Sequence, residues 1–155
     1  MSNADWKAAR VKPAYQVRPE DAVEPEMSEA DWEDFKRGVA LFNRSRYWES
    51  HEAWELVWRR HPEPSRIFFQ GLIQLAAAYH QLQRGVYHGV VKHFNNAGLK
   101  VGQFPDRFLG VDVGALKKAI REGVKEAERL GKKGLERFNP ELVISISFRR
   151  SGMEG

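Results

Sequence analysis

The sequence predicts an all-α fold: a compact antiparallel bundle of about five helices with an extended N-terminal arm and a C-terminal tail. Three observations lead there. Apolar residues recur at the 3–4 spacing of a helix in five successive segments. The breaks between those segments are short and hold proline, glycine or capping residues, as between antiparallel neighbours. The chain has 155 residues, the size of one domain around one core.

Residues 1–27 contain Pro13, Pro19 and Pro25 and no helical periodicity, so they read as an arm that wraps the domain or stays partly disordered. A first helix begins after Ser28, whose hydroxyl can cap it, with Asp31 in the reciprocal capping position. Trp32, Phe35, Val39 and Phe42 then form one apolar stripe. Asn43 to Arg46 is a short turn, and a second helix runs from Tyr47 to Arg60 until HPEP (61–64) stops it. A third, Ser65 to Arg84, is apolar nearly all round, which places it in the middle of the domain. A fourth, Tyr87 to Phe104, turns Val90, Val91, Phe94, Ala97 and Val101 inward and Lys92, Asn96 and Lys100 outward. FPDRFLG reads as a loop. Asp112 can cap a fifth helix, for which Gly131 is a fitting stop. The expected organisation is thus an arm (1–27), a helical domain (28–131) and a tail (132–155). Within that tail LVISISF (142–148) alternates like a strand, and it is expected against the core or against a second subunit.

Composition narrows the function classes. Without cysteine there are no disulfides, thiolate metal sites or cysteine nucleophiles. No apolar run is long enough to span a membrane, and MSNADWKAAR lacks the apolar centre of a secretory signal, so the expected location is cytoplasmic. Residues 1–83 carry 11 Lys/Arg against 13 Asp/Glu and residues 84–155 carry 14 against 8, net −2 and +6. A basic half without interleaved stacking aromatics or a recognition motif reads as solvated helix faces rather than a nucleic-acid surface. A shift of 40 residues aligns Phe42–Tyr47 with Leu82–Tyr87 and Trp54 with Phe94, a faint helix–turn–helix repeat.

The chemistry-bearing stretch is RYWESHEAWELVW (46–58), with His51, Glu52 and Glu55 in the pattern H-E-x-x-E. At about 100° per residue, Trp54, Trp58, His51, Glu55 and Trp48 share an arc of about 120°, with Glu52 on its edge. A carboxylate on an aromatic face must be hydrogen-bonded, paired, protonated or bound to a metal. Gln70, Gln74 and Gln81 share a face of the third helix and are the expected complement. Three readings stay open. The cluster is a structural network fixing helix register; or His51 and Glu55 are two ligands of a divalent metal whose third ligand is not evident, a metal the sequence does not require; or it is a metal-free pocket for a small molecule with Glu52 or Glu55 as base and His51 as partner. A rival from another class is a helical scaffold that binds a partner or self-associates, as a homo-oligomer, through the tail. The other histidines carry less: His61 reads as solvated in its loop, His88 and His93 as edges of the fourth helix's stripe, and His80 as projecting away from the glutamines.

LFNRSRYWESHEAWELVW followed by FFQGLIQLAAAYHQLQRG resembles a bacterial and archaeal family known as domain of unknown function 309, over roughly residues 38–105. The family's pattern is L-F-N-x-G-x-[YF]-[FW]-E-A-H-E-x-W-E-x-x-W, then Q-G-L-I-Q-x-A and an R-G turn. The resemblance implies a compact all-α domain and no established activity, and its characteristic polar positions fall on Glu49, His51, Glu52, Glu55, Gln70 and Gln74. Ser45 stands where the family has a turn glycine, and Val86–Tyr87 where asparagine often follows R-G, which bears on the turns rather than on the His–Glu helix.

Overall fold

Ser28 opens α1 (Glu29–Asn43) through a complete capping box: its hydroxyl accepts from Asp31 N and the Asp31 carboxylate accepts from Ser28 N, each at 3.0 Å. The computed structural model describes residues 12–62 and 64–150. The remaining helices are α2 (Tyr47–Arg60), α3 (Arg66–Arg84), α4 (Tyr87–Val101) and α5 (Val113–Gly134). Each packs on the next in chain order, as the short connections require. α3 is the central layer, with Phe68, Phe69, Leu72, Leu75, Ala76 and Tyr79 all sealed from solvent. The all-α bundle is what the periodicity predicts.

Close approach of α1 and α2 depends on Gly38. A Cβ there would collide with Trp54 Nε1, so the indole occupies the space a side chain would need. That indole donates to Phe35 O at 3.2 Å, and Ser50 Oγ donates to Gly38 O at 2.8 Å. Both bonds are buried, so no polar atom is stranded at this contact.

The faint 40-residue echo is a repeated turn. The turn after α1 holds Ser45 (φ 63°) and the turn after α3 holds Gly85 (φ 72°), both left-handed. Arg46 N then donates to Leu41 O and Val86 N to Gln81 O, each at 2.9 Å. Tyr47 and Tyr87 open the following helices. The backbone at 45 therefore takes the conformation glycine prefers, at a cost of about 1 kcal/mol for a side chain.

Two expectations need correction. FPDRFLG is not merely a loop: Arg107–Phe108 and Val111–Asp112 form a minimal hairpin around Leu109 and Gly110, both with positive φ. That hairpin supplies the tail's missing partner, since Phe148 bridges Val111 and Arg149 N donates to Gly110 O at 2.8 Å. Lys100, expected in solvent, is buried at 5% exposure because the arm covers it. Tyr15 places its ring 4.5 Å from the ammonium, and Gln103 joins the arm through Val17 N and Tyr15 O. Desolvation, with Lys12 nearby, lowers the Lys100 pKa. Residues 1–11 and 151–155, parts of the expected arm and tail, lie outside the described residues.

The tail lies against its own core, alternating as its sequence does. Ile146 is buried while Ser145 and Ser147 face out. Its backbone is clasped by Asn43, whose amide accepts from Ile146 N at 2.6 Å and donates to Ile146 O at 3.0 Å. α5 breaks its helical geometry at Gly131 (φ 68°), where the sequence placed its stop, and resumes for one short turn.

Candidate functional site

α2 carries the candidate residues, and Trp54 sets its rotation. That indole is fully buried between Phe35 and Phe42 of α1, at 6.5 and 5.8 Å between centroids. One helical step away His51 is mostly covered, with 17% of its side chain exposed, and farther round Glu55 retains 34% and Trp48 is half exposed. The tryptophan arc thus runs from core to water. Glu55 is thus half-buried and not shut away from solvent.

Trp48 lies on His51 with rings 4.8 Å apart and only 10° from parallel, and its other neighbour is His80 of α3 at 5.4 Å. Farther along, Arg66 sits 4.1 Å over the Trp58 ring. These two contacts pin the antiparallel register of α2 on α3, so Gln70 and Gln74 lie opposite the stretch from His51 to Trp58. The spacing predicts that these amides meet the His–Glu helix. They do not bond to it: among the described residues no hydrogen bond joins His51 or Glu55 to Gln70 or Gln74. His51 Nδ1 and Glu55 Oε1 stand 3.5 Å apart, an ion-pair distance without hydrogen-bond alignment.

Several polar atoms on these helices have no hydrogen-bond partner. His51 Nδ1, Trp58 Nε1, Gln74 Oε1, Gln81 Oε1 and His93 Nδ1 are buried and unbonded. They are spread along α2, α3 and α4. Gln81 packs at Gly89 of α4, where a Cβ would come within 2.9 Å of it, and His93 lies one turn beyond.

Electrostatics tie the helices together. Burial lowers the His51 pKa, the carboxylates of Glu55 and Glu52 push it back up, and His80 lowers it further. Burial also lowers His93, reinforced by Lys92 and by His51. His80 and His93, which carried little weight in the sequence, are therefore neighbours of His51 in the field they share. No local pattern announces that, because the three histidines stand on three helices.

Glu52 falls on the other side of α2. With Glu49, Glu55 and Arg59 it lines a cleft of about 530 Å³ whose opposite wall is Arg37 and Leu41 of α1. Glu55 lines this cleft and also stands 3.5 Å from His51. For a metal, His51 and Glu55 provide two donors, and no group of three His, Cys, Asp or Glu among the described residues is arranged to hold an ion.

A second polar cluster escaped sequence reasoning. His61, expected in solvent, is 4% exposed, with Nε2 3.0 Å from Asp31 Oδ2. Arg60 donates to both Asp31 (2.9 Å) and Asp34 (2.7 Å), joining the end of α2 to the start of α1. Desolvation raises the Asp31 pKa, but hydrogen bonds from Arg60, Ser28 N and His61 outweigh it and hold it below the usual carboxylate value. The partners lie about thirty residues apart in the chain, beyond the reach of helical spacing.

No helix among the described residues is long and apolar enough to cross a membrane. No curated protein matches the chain. From the middle of α1 to the middle of α4, a stretch that includes His51, Glu52, Glu55, Gln70 and Gln74, residues 35–93 match the family described as Domain of unknown function (DUF309).

Proposed function

We propose that the polar groups of α2, α3 and α4 around His51 form a trough that binds a small polar molecule, with His51 and Glu55 as its proton-handling pair. The observation that carries this reading is that buried polar atoms of His51, Trp58 and Gln74, on two adjacent helices, make no hydrogen bond. A buried donor or acceptor left unmade costs about 1–3 kcal/mol, which a ligand that satisfies it would offset. A structural network would have had these groups bond to one another. Burial favours neutral His51, which can accept a proton from a bound group, and the Glu55 carboxylate 3.5 Å away would steady the imidazolium. Gln70 and Gln74 orient the ligand from the floor, and Glu52 supports the field from the far side of α2. Metal at His51 and Glu55 is the weaker form of the proposal, because it needs donors from the ligand or water.

A fragment screen tests it. Neutral amides, alcohols and heteroaromatics are titrated into the full chain while the Trp58 indole N–H and the Gln74 and Gln81 amides are followed by 15N NMR. The proposal expects saturable shifts at these groups that disappear in His51→Ala. Silence from every fragment, together with a clear loss of stability in Gln74→Leu, would return the cluster to a structural role.

A further inference from the structure

A second cavity lies at the opposite end of α3 from Arg66. It holds about 390 Å³, within the range of small-molecule sites. Phe42, Tyr47, Tyr79 and Leu82 line it from the helices, and Val143 and Ile144 from the tail. Three features set its chemistry. No charged side chain lines it, in contrast to the Glu49–Arg59 cleft, where five of the eight lining residues are charged. Its rings are packed against one another, Tyr47 on Tyr79 at 5.3 Å and Phe42 on both at 5.1 and 5.6 Å, so the wall is preformed. Its two phenols are under-used: Tyr47 reaches Ser45 Oγ only at 3.5 Å, and Tyr79 accepts from Ile144 N at 3.4 Å, both longer than good hydrogen bonds.

We infer that this cavity is a separate binding site for an uncharged aromatic molecule bearing one hydrogen-bond acceptor, with the tail as one of its walls. The apolar rings take the ligand's ring, and a phenol proton takes its acceptor. Burial pushes the Tyr79 pKa up, so that hydroxyl remains a donor at every physiological pH. The lining disfavours an anion, since a carboxylate here would lose its water without gaining a cation. The tail's place is set by Asn43, another lining residue, through its paired bonds to Ile146. Ligand capture and tail position are thus coupled through one side chain. This inference does not depend on the His51 trough.

Benzamide and its charged analogue benzoate are the probes, titrated into the full chain with saturation-transfer NMR as readout. Benzamide should saturate with contacts to the Tyr47 and Tyr79 rings, and benzoate should bind at least about tenfold more weakly. Ile144→Trp, which fills the cavity from the half-buried tail, should weaken benzamide by about tenfold or more, and Tyr79→Phe, which keeps the ring and removes the donor, by about threefold. Gln74→Leu should leave binding unchanged. The absence of saturable benzamide binding overturns the inference. So does equal affinity for benzoate, full binding in a folded Ile144→Trp, or loss of binding in Gln74→Leu, which would move the ligand to the trough.

Discussion

Two polar clusters are built on α2, fourteen residues of one helix, and they are finished differently. At its C-terminal end Arg60 and His61 meet Asp31 and Asp34, and each carboxylate has at least two partners between 2.7 and 3.0 Å. Around His51, polar atoms are buried to a similar degree and left unmade. The first cluster ties the helix ends together. Under the proposed function a ligand would relieve the cost of the second, and that contrast would separate scaffold from site.

The largest test of the contrast lies in the closed cluster. Asp31→Ala removes the acceptor of Ser28 N and one buried partner each of Arg60 and His61, and should lower unfolding free energy by about 3 kcal/mol in urea titrations. A loss below about 1 kcal/mol would mean the cluster is ornamental. The open cluster should respond in the other direction. Gln74→Leu removes an unpaired buried oxygen and should be neutral or stabilising by up to about 1 kcal/mol, measured the same way.

Acid separates the two clusters by pH window. His51 and His93 have folded pKa values below the ordinary 6.5, so the unfolded chain binds their protons first. Their contribution is present above 6.5 and is lost as pH falls through that value towards their folded pKa values. Asp31 acts lower, its contribution present above 3.8 and lost as pH falls below it. Melting temperature should therefore decline between pH 7 and pH 5, and His51→Gln with His93→Gln should flatten that decline without altering the step below pH 4. Smallest of all, Ser45→Gly should stabilise the chain by about 1 kcal/mol by relieving the left-handed turn, whereas Gly85→Ala should cost about as much, both read from chemical denaturation.

Much of the helical frame was legible because its signals are local. Ser28 with Asp31, the 3–4 stripes, and HPEP after Arg60 each act within one or two turns, and α2 starts and stops where they say. The i, i+4 pair His51–Glu55 was legible for the same reason. The hairpin at 107–112 was not, because Leu-Gly lacks the asparagine or aspartate that usually marks such a turn. The burial of His61 and Lys100 depends on Asp31 and Tyr15, which are distant in sequence and adjacent only after folding. Whether Gln74 bonds to His51 was equally hidden, since helix register across α2 and α3 decides it.

The central claim is that the buried polar groups of His51 and Gln74 do not stabilise one another. A double-mutant cycle between His51→Ala and Gln74→Leu, measured as unfolding free energy in urea at pH 7.5, addresses it directly. A coupling within about 0.3 kcal/mol of zero is expected. A favourable coupling of about 1 kcal/mol or more would show that the two side chains satisfy each other in solution, and would contradict the account.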